Sequence, residues 1–107
     1  MSIISYPALF FPEEDGRIFA LFPDLSYTMA WGFGFSDTYS MAVDALAGYI
    51  DSCRKNGNPI PKSSDPLTLI PEKLEEEEEE EYFVVMVTVD VDHYIETIIN
   101  PPKSEEE

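Results

Sequence analysis

Residues 3–25 read IISYPALFFPEEDGRIFALFPDL, two apolar runs separated by a short polar turn. The runs, Ile3 to Phe11 and Arg17 to Phe22, are rich in residues that favour β-strands. Between them, Glu13 to Gly16 ends in Asp-Gly, a pair that is typical of hairpin turns because both residues tolerate positive φ. The second run carries apolar side chains on both faces, as an interior strand does. The stretch therefore predicts a β-hairpin whose second strand lies inside a sheet.

A third strand is predicted over Tyr27 to Trp31, after Pro23-Asp24 interrupts the second. Its odd-numbered residues share one face because side chains alternate along a strand. Gly32 and Gly34 are expected to end it. Three consecutive strands joined by short turns predict an antiparallel meander.

A helix is predicted from Ser36, where the spacing of apolar residues changes to three and four. Gly34 or Ser36 is the expected N-terminal cap, and Gly57 is the expected left-handed terminator before Pro59 and Pro61. The predicted apolar face consists of Tyr39, Ala42, Val43, Leu46, Ala47, Tyr49, Ile50 and Cys53.

The segment from Phe83 to Asp92 alternates strictly, with its odd-numbered residues all apolar, and predicts a strand with one buried face. We expect this strand to return beside Ile3 to Phe11 through a right-handed crossover. The proline-rich and glutamate-rich residues 58–81 are expected to form a connector. The predicted fold class is thus α+β, in the order βββα-β, with one helix on a face of one mainly antiparallel sheet.

The length of 107 residues allows one domain, predicted over residues 1–96 with the connector included. Residues 97–107 are expected to form a disordered acidic tail. The lone Cys53 excludes an intramolecular disulfide, and the chain shows neither a signal peptide nor an apolar run that could span a membrane. These features predict a cytoplasmic protein.

The chain carries 22 acidic and 6 basic residues, a formal charge of -16. Glu75 to Glu81 and Glu105 to Glu107 supply ten of the acids, and the charge without these ten is -6. A field of this sign repels nucleic-acid phosphates and attracts a basic protein. The charge therefore favours a basic protein partner, with simple solubility as the alternative interpretation.

No catalytic residue, metal site or cofactor is predicted. His93 is the only histidine and has no cysteine cluster near it in the sequence, which gives zinc binding or a catalytic triad little support. Asp90 and Asp92 share a strand face but could form a metal site only if the fold brought Asp15 or Asp24 to them. We interpret them as solvated strand-end acids, and Cys53 as a small core residue.

An aromatic group surrounds the glycines after the third strand. Two interpretations are open, an exposed interface and packing over the open end of the sheet. The residues concerned are Tyr27, Trp31, Phe33 and Phe35.

Five motifs follow one another over residues 5–94. In these motifs and in their order, the chain resembles the antitoxin domain of HicB-type toxin–antitoxin pairs. They are Tyr6-Pro7-Ala8, the turn Glu13-Glu14-Asp15-Gly16, Phe22-Pro23-Asp24-Leu25, the alanine-bearing helix that ends in Gly57-Asn58-Pro59-Ile60-Pro61, and the strand Val87 to Asp92. The resemblance implies a partial RNase-H-like fold and a homo-oligomer, a dimer or a tetramer. It also implies a small basic HicA-like toxin as partner, an mRNA-cleaving protein whose RNA-binding surface the antitoxin covers.

On this interpretation the seven residues expected to contact a partner are Phe22, Pro23, Asp24, Leu25, Trp31, Asp90 and Asp92. Two departures stand out: Ser26-Tyr27 replaces the Pro-Gly that usually follows the FPDL motif, and only Ile95 to Asn100 stands where many members carry a DNA-binding segment. DNA binding is therefore not predicted. The alternative function is a solitary, self-associating regulatory or scaffold domain without a toxin, and a metal-dependent nuclease comes third.

Overall fold

The computed structural model describes residues 2–68 and 81–99. Four antiparallel strands form one sheet in the order β3-β2-β1-β4, with a long helix on one face. The elements are β1 Ile3–Pro12, β2 Arg17–Phe22, a 3-10 turn Pro23–Leu25, β3 Thr28–Phe33, α1 Gly34–Asn56, a 3-10 turn Pro66–Thr68, β4 Phe83–Asp90, α2 Val91–Tyr94 and a π-helical turn Ile95–Ile99. The predicted α+β class and strand order are confirmed.

The hairpin between β1 and β2 closes through the predicted Asp-Gly turn. The Glu13 N–H donates to the Arg17 carbonyl at 2.8 Å, and Gly16 adopts a φ of 94° that favours glycine. Asp15 accepts from the Arg17 N–H at 3.1 Å and from its Nε at 2.9 Å. The backbone hydrogen bond from Arg17 is the main cause that lowers the pKa of Asp15.

Pro7 lies in β1, an interior strand, where a missing N–H normally removes a ladder hydrogen bond. The backbone N–H of Glu13 is directed toward β2. Because backbone groups alternate in direction along a strand, those of the other odd-numbered residues of β1 are also directed toward β2. Pairing on that side ends at Leu9 and Leu21. The nitrogen of Pro7 therefore faces no strand, and the proline costs the sheet nothing.

The last strand, β4, pairs with β1 as predicted, from Ile3 opposite Asp90 to Phe10 opposite Phe83. The predicted right-handed crossover is wrong because the two strands are antiparallel and that rule applies to parallel ones. The strand also ends at Asp90 rather than at Asp92. Asp90 accepts a hydrogen bond from the His93 N–H at 3.3 Å and so caps α2.

The third strand runs to Phe33, past the predicted stop at Gly32. Gly32 is needed inside the strand because a Cβ there would lie 2.8 Å from the Thr38 backbone nitrogen of α1. The turn before the strand holds Ser26 and Tyr27 at φ of 57° and 59°, a left-handed conformation that costs a non-glycine residue about 1 kcal/mol. Glycine would avoid this cost at either position.

The helix α1 begins at Gly34 with Phe33 as its N-cap, so neither Gly34 nor Ser36 is the cap. Asp37 replaces a capping side chain, because its Oδ2 accepts from the Phe33 N–H at 2.9 Å. The predicted terminator is confirmed: Gly57 has a φ of 70° and its N–H bonds to carbonyls of the last turn. No helix within residues 2–68 and 81–99 is long and apolar enough to cross a bilayer.

The core lies between α1 and one face of the sheet. The buried hydroxyl of Thr38 donates to the Gly34 carbonyl at 2.8 Å, which satisfies a polar group inside this core. The core residues are Tyr6, Ala8, Phe10, Ile18, Ala20, Phe22, Leu25, Ala42, Leu46, Ile50, Val87, Val89 and Val91.

The predicted connector is described over residues 58–68, which have no regular secondary structure before the 3-10 turn, and at Glu81. Residues 69–80 lie outside the described residues. Of the predicted tail, residues 97–99 belong to the π-helical turn, and residues 100–107 lie outside the described residues.

Candidate partner-binding surfaces

Six of the seven predicted contact residues lie toward one end of the sheet, where β1 begins. The antiparallel register places the end of β2 and the end of β4 on the two sides of that part of β1. The six are Phe22, Pro23, Asp24, Leu25, Asp90 and Asp92, here named the end cluster. The seventh, Trp31, lies apart from them on β3.

Burial divides the end cluster. Phe22 and Leu25 are 0% exposed and belong to the core, so they hold the turn in place and present no surface to a partner. Pro23 and Asp24 are half-buried, as are Asp90 and Asp92. Only these four reach solvent in the end cluster.

Asp24 fastens the connector to the turn after β2. Its Oδ2 accepts from the Ser64 N–H at 2.7 Å, and its Oδ1 accepts from the Ser64 hydroxyl at 2.6 Å. Nearby, the Tyr6 hydroxyl donates to the Pro61 carbonyl. Burial raises the pKa of Tyr6, and the negative charge of Asp24 adds to that shift. Asp24 therefore has a structural task that sequence reasoning missed.

Asp90 and Asp92 are also engaged within the chain. Asp90 accepts from the Ser2 N–H at 3.4 Å and caps α2, while Asp92 accepts from the Ser2 hydroxyl and from Arg54 Nη1, each at 2.7 Å. The Ser2 hydroxyl, followed by Arg54, lowers the pKa of Asp92 below its usual range. These two carboxylates thus link Ser2 to the end of β4 and to α2 through hydrogen bonds.

A second acidic region lies on α1 and the helical turns after β4. Asp37, Asp44 and Asp51 recur at intervals of seven residues and so share one side of α1. Asp44 and Glu96 are exposed, and the Tyr94 hydroxyl donates to Asp44 Oδ1 at 3.2 Å. Burial raises the pKa of Tyr94, and Asp44 raises it further. The seven-residue spacing was a usable sequence signal that the prediction overlooked.

We name Asp37, Asp44, Asp92 and Glu96 the acidic surface. It joins the exposed side of α1 to the helical turns that pack against that helix. Arg54, paired with Asp92, is the cation bonded to this group among the described residues. The surface therefore remains net negative.

The opposite face of the sheet carries an apolar row on and beside β3. Its members are Tyr27, Met29, Trp31 and Phe33, and they are 48–60% exposed. Trp31 and Phe33 stack edge to face at 5.7 Å. Phe35 is 48% exposed as well, but it packs against Phe10 and Phe83, which agrees with the packing interpretation for this residue. That the exposed row forms an interface stays a prediction.

The residues weighed for chemistry do not come together. Asp15 lies in the hairpin turn, at the opposite end of β1 from Asp90. Within the described parts of the chain, no group of three His, Cys, Asp or Glu side chains is arranged to hold a metal ion. Cys53 is buried on the core side of α1, where it was expected.

Comparison with known proteins gives matches among solved structures. The chain matches no protein-family model, and it matches no curated protein sequence. One similar structure is a toxin–antitoxin complex from Streptococcus pneumoniae, with a TM-score of 0.75 and 26% identity over 96% of this chain and 79% of that one.

A second similar structure is a HicA3 and HicB3 toxin–antitoxin complex, with a TM-score of 0.61 and 27% identity over 78% of this chain and 94% of that one. Both matches come from complexes of the type that the sequence motifs indicate, and both share the sheet and helix described above. The resemblance of this chain to HicB-type antitoxins is therefore confirmed.

Proposed function

We propose that the chain is an antitoxin-like binding module that neutralises a basic HicA-like mRNA-cleaving toxin by covering its RNA-binding surface. The observation that carries the proposal is the similarity to two toxin–antitoxin complexes, one of them extending over 96% of the chain. The toxin is the implied partner, and the chain needs no chemistry of its own for this role.

The charge distribution supports a specific mode of binding. A protein that holds RNA phosphates presents a positive surface, and the acidic surface offers it a matching negative one. The end cluster adds Pro23, Asp24 and Asp90 as further contacts. Because exposed charges attract over a distance, the acidic surface is expected to speed the encounter and to weaken as salt increases.

The first experiment tests whether the chain co-purifies with the protein encoded beside it. The two proteins are then mixed at known molar ratios, and both RNA cleavage and binding are measured. The proposal is supported if the neighbouring protein is small and basic and if its cleavage of RNA stops at a fixed molar ratio of the chain to that protein. Full RNA cleavage in the presence of excess chain removes it.

A matched pair of variants locates the contact. Asp44→Lys with Glu96→Lys and Glu13→Lys with Glu14→Lys change the net charge equally, but only the first pair lies on the acidic surface. We expect the first double variant to bind the toxin about tenfold more weakly or worse, and the second to change binding by less than about threefold. Equal weakening by both would mean that overall charge, and not this surface, governs binding.

The solitary-domain alternative predicts a different result from the same purification. The chain would be recovered without a basic protein and as a homo-oligomer. The exposed apolar row gives this alternative its structural support, because a patch of this kind on a soluble chain marks an interaction surface.

A further inference from the structure

The face of the sheet that points away from α1 is apolar over β2 and β3. The core residues of β2 are even-numbered, so its odd-numbered side chains lie on this other face, together with the β3 residues paired with them. There Phe19 lies opposite Trp31 and Leu21 lies opposite Met29, and both β2 residues are half-buried. Of the six side chains that the two strands place on this face, only Arg17 is charged. The apolar row is therefore the exposed border of a wider apolar surface.

Carboxylates border the Phe33 end of the apolar row. The hairpin turn lies beside this end, because the N–H of Gly34 donates to the Gly16 carbonyl at 2.9 Å. Arg17, opposite Phe33, is bonded to an acid of the turn and offsets one of its charges. The border stays net negative. The exposed acids of the turn, here named the acidic turn, are Glu13, Glu14 and Asp15.

We propose that the apolar row and the acidic turn form one binding site for a short basic segment of a protein. In this site a bulky apolar side chain of the segment packs on the row, and a neighbouring arginine or lysine reaches the acidic turn. The inference goes beyond toxin neutralisation and does not depend on it, because the apolar row lies on the face of the sheet away from α1. A chain with both sites can hold two partners at once.

The size of the apolar row favours a short segment over a folded partner or a second copy. Side chains of this size expose about 200 Å² each when free, so a half-exposed row of four offers on the order of 400 Å². A standard interface between folded proteins buries about 800 Å² per partner, about twice as much. The contact of a short segment needs no more area than the row offers.

Charge selects a basic segment. Asp37 adds a carboxylate from the side of α1, where it accepts from the Phe33 N–H at 2.9 Å. Together with the acidic turn it repels nucleic-acid phosphates and the anionic headgroups of a membrane. An arginine or lysine is also attracted by the ring faces of Trp31 and Phe33, which lie next to each other. The site therefore favours a basic protein segment over nucleic acid or lipid.

Tyr27 keeps its ring in the apolar row at an energetic cost. Its φ of 59° follows a φ of 57° at Ser26, and the Ser26 hydroxyl is hydrogen-bonded to the Tyr49 hydroxyl of α1 at 3.2 Å, which holds the turn in place. Residues in strained backbone conformations are concentrated at ligand-binding sites. The strained residue here carries a side chain that is 56% exposed. This observation is independent of the charges and supports a binding role for the row.

Trp31 is the only tryptophan of the chain, so its fluorescence reports directly on the apolar row. The experiment adds a synthetic peptide of alternating leucine and arginine to the full chain and follows the emission of Trp31. Two comparison peptides replace either arginine by glutamate or leucine by serine. We expect the leucine–arginine peptide to shift the emission to shorter wavelength, because it excludes water from the indole. It should bind at least about tenfold more tightly than either comparison peptide, and added salt should weaken it.

A matched pair of double variants tests the role of the acidic turn. Glu13→Lys with Glu14→Lys should weaken binding of the leucine–arginine peptide about tenfold. Asp44→Lys with Glu96→Lys changes the net charge equally but on the acidic surface, and should change binding by less than about threefold. The expected order is the reverse of that for toxin binding, so the two sites are distinguished by the same variants.

A second pair of variants tests the apolar row. Met29→Ser should weaken binding of the leucine–arginine peptide about fivefold, because it removes apolar area from the row. Met41→Ser is the control at a similarly exposed methionine of α1, and it should leave binding unchanged. The comparison of the three peptides on the wild-type chain tests the proposal even if a variant does not fold.

Four results would overturn the proposal. The first is an emission of Trp31 that no peptide changes, and the second is equal binding of the arginine and glutamate peptides. The third is equal weakening by the two double variants, which would place the contact elsewhere. The fourth is a shift of the emission as the chain alone is concentrated, which would make a second copy the occupant of the row. None of these results affects the toxin hypothesis, because inhibition of RNA cleavage measures that activity separately.

Discussion

Arg54 Nη1 lies 2.7 Å from Asp92 Oδ1, so the last turn of α1 is bonded to the helical turn that follows β4. The other oxygen of the same carboxylate accepts from the Ser2 hydroxyl. One half-buried carboxylate thus joins the beginning of the chain, the end of the long helix and the end of the sheet.

This junction is expected to weaken in acid. The contacts with Ser2 and Arg54 lower the folded pKa of Asp92 below 3.8, so its contribution is present above the unfolded pKa and is lost as pH falls through the folded pKa. Asp92→Asn should therefore be less stable than wild type at neutral pH, with a difference that shrinks below about pH 4. Urea denaturation across this pH range measures it. Glu14→Gln is the control, and a difference that does not depend on pH would contradict the assignment.

The Asp24 anchor makes a prediction about the connector. Ser64→Ala removes the hydroxyl that bonds to Asp24, whereas Ser63→Ala changes an exposed neighbour that makes no hydrogen bond in the described structure. Trypsin should cleave after Lys62 about fivefold faster in Ser64→Ala, as expected for the loss of about 1 kcal/mol. Equal cleavage rates in the two variants would show that the anchor does not restrain this segment.

Replacement by alanine is expected to destabilise the fold at Gly32 and to stabilise it at Gly48. A Cβ at Gly32 meets the Thr38 backbone at 2.8 Å, while a Cβ at Gly48 meets nothing within 4 Å inside α1. Gly32→Ala should destabilise the fold by about 1–3 kcal/mol, and Gly48→Ala should stabilise it by about 0.5–1 kcal/mol. Denaturant unfolding measures both, and a stable Gly32→Ala would mean that β3 and α1 separate easily.

Tyr27 offers a test of backbone strain. Its φ of 59° favours glycine, and Tyr27→Gly and Tyr27→Ala both remove the exposed ring while only the first relieves the conformation. The free energy of unfolding of Tyr27→Gly should be about 0.5–1 kcal/mol higher than that of Tyr27→Ala. If the alanine variant is the more stable one, the turn relaxes out of the left-handed region in solution.

The hydrogen bond at the edge of β4 can be tested through one hydroxyl. Tyr39→Phe removes the acceptor of the Thr88 N–H, whereas Tyr49→Phe removes a hydroxyl of the same helix that lies against Ser26. Amide exchange at Thr88 should accelerate about fivefold or more in the first variant and stay at the wild-type rate in the second. Unchanged exchange in Tyr39→Phe would show that this hydroxyl does not protect the edge.

Local periodicity predicted the elements well because each pattern has a direct physical cause. The Asp15-Gly16 turn, the alternation of Phe83 to Asp90 and the Gly57 terminator depend on neighbouring residues alone, and all three are confirmed. The right-handed crossover to β4 was mispredicted because the crossover rule presupposes parallel strands. The end of β3 was mispredicted because Gly32 is required by the close packing of β3 against the first turns of α1 at Thr38, and this packing is not visible in the apolar pattern.

The candidate site was less predictable than the fold. Asp90 and Asp92 were chosen as acids at a strand end, and Asp24 as part of the Phe22 to Leu25 motif. Whether each carboxylate is free or bonded depends on residues 40 to 90 positions away. Phe22 and Leu25 were chosen from a motif, and their burial shows that this motif builds the core. The prediction that the remaining residues contact a partner stays a prediction.

The hydroxyl of Tyr39 also reduces the hydrogen-bonding capacity of an open sheet edge. A free edge strand is a template on which a strand from another chain can add. Because the Thr88 N–H is already bonded to Tyr39, a strand that approached β4 would find one donor fewer at this position.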